Sequence, residues 1–304
     1  MLRRAALTTH FKKRNLMDTT QEPAGTGYQS RNAGRMYRMP WGFGPSTGPR
    51  MHVDGSTYDL SDAPRVTSAV NFLSDADALT ALLPPGFSVL GEPVVTVDFT
   101  HLAQLEWLAG RSYSMLGVRF NARYLGTDDD ASGPFLAVLW ENRPEPVLTG
   151  REELGFAKLY CELPPERYVR GRRSYSASWD GHEFLRMHVE DLRDAEPPAA
   201  PPVSAAAQRR GTLHYRYLPR ISRPGEAEVA QAVLTPNGGG CPARYEVFQR
   251  GAGKAEFRLS TWEQIPTMHH IVNTLARLPV REWRAAHYSV IRGGRDFSDQ
   301  QVLR

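Results

Sequence analysis

Thr149-Gly150-Arg151-Glu152-Glu153-Leu154-Gly155-Phe156-Ala157-Lys158-Leu159 places one lysine at the end of a turn-and-helix segment, with apolar residues on both sides of it. In water a lysine keeps its proton up to a pH of about 10.4, and only a neutral amine attacks a ketone. Burial among apolar groups disfavours the ammonium form. A shift of about 3 units leaves half the population neutral at pH 7, and costs about 4 kcal/mol. Few lysines are buried at all, and buried ones are a recurring source of Schiff-base catalysis. Phe156, Ala157 and Leu159 therefore mark Lys158 as a candidate nucleophile.

Around this segment the chain reads as short strands joined by Gly/Pro turns. Arg65 to Leu73, Val94 to Phe99, Gly117 to Tyr124 and Phe135 to Trp140 precede the lysine. The Gly117 to Tyr124 run alternates, as a half-buried strand does. Ser174 to Asp180, Glu183 to Val189, Leu213 to Leu218, Glu228 to Leu234, Arg244 to Gln249, Lys254 to Leu259 and Ala285 to Arg292 follow it. Gly251-Ala252-Gly253-Lys254 reads as a hairpin turn between two of these strands. Helical spacing is confined to Asp75 to Leu83 and Thr267 to Leu278. Many strands with few helices point to a mainly β (α+β) fold, built on a closed or nearly closed antiparallel sheet.

Residues 1–35 lack periodicity and are read as an irregular tail. Residues 36–304 are expected to form a single domain. Within it, residues 194–210, rich in Pro and Ala, form a surface loop, since strands of the same style resume beyond them.

Several short motifs appear in a specific order. Asp77-Ala78-Leu79 leads into Leu83-Pro84-Pro85-Gly86-Phe87, then Glu92-Pro93 and a strand ending at Asp98. Next come Leu139-Trp140-Glu141-Asn142, Gly150-Arg151-Glu152 and Phe156-Ala157-Lys158, and finally Leu278-Pro279-Val280-Arg281-Glu282. This order and spacing resembles the acetoacetate decarboxylase superfamily over about residues 60 to 292. The resemblance implies a large cone-shaped β-barrel with a few peripheral helices, and Lys158 as the imine-forming residue. It further implies Arg65 and Asp98 as catalytic partners, with Tyr113, Met115, Glu141, Arg151 and Phe156 around the substrate. Two positions depart from the family pattern. Leu159 stands where the decarboxylases have a second lysine, and Met115 where they have a glutamate. A thioether is neither acid nor base. Read from the residues alone, Glu141, Arg151 and Glu152 make an ion-pair network that holds the turn.

The activity implied is a lyase that forms a Schiff base with a small keto acid, decarboxylating a β-keto acid such as acetoacetate. Two alternatives stay open: an aldolase-dehydratase acting on pyruvate or a similar 2-keto acid, and a barrel that only binds small acids. No metal and no organic cofactor is called for, and a homo-oligomer is expected.

Composition sets outer bounds. The chain has 304 residues, 41% of them hydrophobic and 23% charged, which is ordinary for a soluble globular protein. Its 37 basic and 33 acidic side chains give only +4, and the arginines are scattered, against a nucleic-acid partner. Apolar runs are too short to span a bilayer. Two cysteines, Cys161 and Cys241, without C-x-x-C spacing suit a reducing, cytoplasmic setting. His182 and His188 are spaced six apart and read as strand decoration. His269-His270 lacks a third ligand nearby, and Asp128-Asp129-Asp130 reads as a hairpin tip.

Overall fold

A computed structural model describes residues 35–199, 209–237, 243–295 and 297–304. The sequence expectations for the tail at 1–34, for most of the Pro/Ala loop and for Cys241 lie outside the described residues. Within the described residues fourteen strands form one sheet. They are β1 (Pro64–Leu73), β2 (Phe87–Val89), β3 (Val94–Leu105), β4 (Arg111–Leu125), β5 (Asp130–Glu141), β6 (Lys158–Tyr160) and β7 (Arg167–Val169). After these come β8 (Arg172–Trp179), β9 (His182–Asp194), β10 (Gly211–Pro219), β11 (Ala227–Pro236), β12 (Arg244–Phe257), β13 (Glu282–Arg292) and β14 (Gln301–Leu303). Three α-helices sit beside them: α1 (Ala76–Thr80), α2 (Pro144–Glu152) and α3 (His269–Ala276).

The strand order is β14-β11-β10-β5-β4-β3-β1-β13-β12-β9-β8-β7, with β2 on β4 and β6 on β5. Among the described residues no hydrogen bonds join β14 to β7, so the sheet is curled rather than closed. The curl is seen where β8 crosses over β1 and β3. Tyr175 meets Ser68 at 2.7 Å through its hydroxyl, and its ring lies 4.7 Å from Phe99. Most pairings are antiparallel, whereas β10 and β6 both run parallel to β5. Parallel neighbours need a crossover connection, and α2 is that crossover between β5 and β6.

The period of two divides the residues between the faces. Val95, Val97 and Phe99 of β3, Leu116, Val118 and Phe120 of β4, and Val138 and Trp140 of β5 enter the main core with Phe184, Leu185, Met187 and Val272. Each large side chain buried there stabilises the fold by about 1.5–3 kcal/mol. The alternate residues, Thr96, Asp98, Thr100, Met115, Gly117, Arg119, Leu139 and Glu141, share the opposite face. Along the alternating run of β4, Phe120 and Ala122 are buried while Asn121 and Arg123 are exposed, and nearer Lys158 both faces are covered, from Tyr113 to Val118.

Gly251 to Lys254 is not a hairpin turn. It lies inside β12, which runs unbroken from Arg244 to Phe257. The glycines answer to a close approach: a Cβ at Gly251 would lie 2.3 Å from the carbonyl oxygen of Glu190 on β9. Cys161 is fully buried, and burial pushes its thiol well up, which leaves it inert at neutral pH.

Candidate active site

Strand β6 begins at Lys158, paired with Leu139 of β5. Glu141, two residues along β5, projects from the same face and stands across the ladder from Met115 of β4. Lys158 is 6% exposed and Glu141 0%. Lys158 Nζ lies 2.8 Å from Glu141 Oε1, an ion-pair contact whose angles fall short of a hydrogen bond, and donates to the carbonyl oxygen of Pro146 at 3.0 Å. Glu141 Oε2 has no hydrogen-bond partner among the described residues. Burial pushes the Glu141 carboxyl above the usual glutamate range, and the Lys158 charge pulls the other way. Lysine and carboxyl thus form a buried pair in direct contact.

The walls are apolar. Leu136, Leu139, Leu154 and Phe156 form a second buried cluster, joined by Met115 and Phe297. The Phe156 ring centre is 5.8 Å from Lys158 Nζ. Tyr113 is buried nearby, and its phenol is pushed well up by burial and further by the Glu141 charge. Phe156 is braced from behind by His214, with ring centroids 4.2 Å apart. Burial lowers the His214 imidazole to about 4, so it is neutral at pH 7. Its Nδ1 lies 2.9 Å from the carbonyl oxygen of Gly155, which accepts the bond and fixes the loop leading into β6. Arg151 is exposed and acts on the main chain, donating to the Lys158 carbonyl at 2.8 Å.

Two of the sequence-predicted catalytic residues lie apart from the amine. Asp98 is on the same face, three strands away, which at about 4.8 Å per strand separates the Cα atoms by roughly 14 Å. It pairs with Arg119 at 2.8 Å, over the space left by Gly117. Arg65 lies one strand further, level with Leu102 and Tyr113. It makes no hydrogen bond or ion pair among the described residues. Burial lowers its guanidinium from the ordinary arginine value, Tyr245 opposes that, and Arg295 adds to it. The chain beyond β13 leads back to the lysine. Arg295 sits 5.7 Å over the Phe297 ring, and Phe297 packs edge-on against Phe156 at 5.7 Å. Leu159 points the other way and packs on the main core.

The structure therefore gathers Lys158, Glu141, Met115, Phe156 and Tyr113 and sets Arg65 and Asp98 at a distance. Gly150, Pro146 and His214 join the site without a sequence signal of their own, except that Gly150 lies in the Gly150-Arg151-Glu152 motif, and Arg119 stands with Asp98. Among the described residues no cluster of His, Cys, Asp or Glu has metal-binding geometry, and no helix is long and apolar enough to cross a membrane.

The curled, mainly-β sheet thus buries a lysine–glutamate pair against an apolar wall. The chain belongs to the acetoacetate decarboxylase family, whose sequence model matches residues 39–292. No curated protein matches the sequence. Among solved structures, the fold is similar to the acetoacetate decarboxylase of Legionella pneumophila subsp. pneumophila str. Philadelphia 1, at 17% identity and a TM-score of 0.59, over 82% of this chain and 90% of that one. It is similar also to the enduracididine biosynthesis enzyme MppR complexed with pyruvate, at 14% identity and a TM-score of 0.59, over 83% and 94% of the two chains. An acetoacetate decarboxylase-like enzyme from Sphingomonas wittichii RW1 gives 15% identity and a TM-score of 0.54, over 84% and 98%.

Proposed function

We propose that this protein is a lyase in which Lys158 forms a Schiff base with a small keto acid and decarboxylates a β-keto acid of the acetoacetate type. The observation that carries this reading is the 2.8 Å contact between two buried groups, the Lys158 amine and the Glu141 carboxyl.

Once the amine has passed a proton to Glu141, it adds to the substrate ketone. Glu141 then gives its proton to the carbinolamine oxygen, water leaves, and an iminium remains beside the Glu141 carboxylate. Oxygen and two hydrogens depart as water, one hydrogen from the amine and one from the carboxyl. The buried carboxylate, which lacks a second partner, now faces the iminium cation. In the apolar surroundings of Leu139, Met115 and Phe156 the substrate carboxylate is poorly solvated, so its C–C bond electrons flow into the iminium and carbon dioxide leaves. The enamine takes a proton from water on its carbon, and the hydroxide left adds to the resulting iminium and releases the ketone and the free amine. Arg65 draws the anionic substrate inward by its field. Asp98 serves through Arg119, the guanidinium it holds.

One observation favours a second reading. Met115 stands where the decarboxylases have a glutamate, and MppR, which shares the fold, has been solved with pyruvate and with a condensation product of pyruvate and imidazole 4-carboxaldehyde. An aldolase-dehydratase would keep the substrate carboxylate. The two separate when acetoacetate is supplied in one vessel, and pyruvate with an aldehyde in another. Carbon dioxide from the first alone supports the decarboxylase. Enone absorbance from the second, with no carbon dioxide from the first, replaces it with the aldolase.

A further inference from the structure

We propose that Gly150 is a positioning residue for the reaction: its missing side chain lets α2 press against Lys158 and hold the amine on Glu141. The inference rests on Lys158 being the imine-forming residue. Gly150 lies within α2, one turn after Pro146, and its backbone has no left-handed φ. Glycine inside a helix costs about 1 kcal/mol relative to alanine. Nothing in the backbone asks for it.

The side-chain contacts do. A Cβ built on Gly150 would lie 2.2 Å from Lys158 Cδ, 2.3 Å from Cε and 2.6 Å from Nζ. Its three nearest neighbours thus all belong to one side chain, and all are far inside van der Waals contact. The amine is pinned from two other directions, by Glu141 Oε1 at 2.8 Å and by the Pro146 carbonyl at 3.0 Å. Because Pro146 and Gly150 sit on the same helix face, α2 supplies both the acceptor that holds Nζ and the gap through which the side chain passes. A methyl group at position 150 leaves the helix intact. The flexible end of the lysine gives way instead, and in swinging aside it leaves Glu141.

Gly150→Ala separates fold from chemistry. Wild type and variant are mixed with acetoacetate and borohydride, and the rate of mass gain on Lys158 is followed across pH. A displacement of about 1 Å at a reacting centre costs about 100-fold, and a loss of that order is expected in the trapping rate, in kcat more than in KM. The pH dependence should change as well, since the amine no longer exchanges its proton with Glu141. Thermal unfolding gives a second, independent reading. Gly150→Ala should raise Tm in a Lys158→Ala background, where the clash is gone and alanine is the better helix former, and fail to raise it when Lys158 is present. That dependence on the background is a coupling between the two side chains. An unchanged trapping rate, or an equal rise of Tm in both backgrounds, overturns the role of Gly150 while leaving Lys158 as the nucleophile. A wild-type protein that traps nothing on Lys158 overturns both.

Discussion

Replacing Lys158 with methionine removes the cation that, among the described residues, contacts the wholly buried carboxylate of Glu141. At 2.8 Å and an effective dielectric of about 20, two full charges attract by about 6 kcal/mol. Desolvating both groups opposes that gain, which makes the intact pair close to neutral for stability. Removing one partner of such a pair costs about 3–5 kcal/mol while the other stays charged. Glu141 escapes the cost by binding a proton. Burial already raises its pKa, and the only opposing causes come from Lys158, so in Lys158→Met the raising cause stands alone. A raised folded-state pKa stabilises the fold fully below the unfolded value, near 4.3, and that stability is lost as pH rises towards the folded value. Lys158→Met should therefore match Lys158→Met/Glu141→Gln in stability near pH 4. It should then fall behind by about 1.4 kcal/mol per pH unit, levelling off after about 3–5 kcal/mol. Urea unfolding of both variants from pH 4 to 8 measures the gap, and groups common to the two proteins cancel. A gap that stays constant with pH refutes the reasoning. From the sequence alone, removing a desolvated amine should leave Tm near wild type or higher; the buried partner makes the outcome depend on pH.

Glu141→Gln keeps the shape of the pair and removes its proton, and turnover should fall about 100- to 10,000-fold; steady-state carbon dioxide release reads this directly. His214, buried and lowered to about 4, favours the fold in its neutral form. That stability is complete above about pH 6.5 and worth about 3 kcal/mol. It is lost as pH falls through about 4, so thermal melts of His214→Gln between pH 7 and 4 should lack this part of the acid decline. Leu159→Ala should cost about 1–3 kcal/mol from the main core, and it should leave the pH–rate profile in place, because that side chain points away from the amine.

Much of this architecture is legible from alternation. The expected runs at Val94, Gly117 and Phe135 are real strands, each longer than its alternating or apolar segment. The break expected at Gly251 fails because the approach of β9 that requires glycine is a tertiary fact. At the site, Lys158, Phe156 and Glu141 announce themselves by closeness in sequence, yet whether Glu141 touches the amine depends on the parallel register of β5 and β6. Arg119 escapes notice since a charged residue in an alternating strand reads as solvent-facing, and its pairing with Asp98 emerges only when Gly117 is seen to leave room between them. Arg65 and Asp98, assigned by position along the chain, share the right face but are four and three strands from the lysine. Leu159 is next to Lys158 in sequence and on the opposite side of the sheet in space.

The proposed chemistry requires a covalent bond between Lys158 and a keto acid. Incubation with acetoacetate, reduction by borohydride and peptide mass mapping should place one reduced adduct on Lys158 and none on Lys158→Met. An adduct on Lys12, Lys13 or Lys254, or no adduct with either acetoacetate or pyruvate, would contradict it.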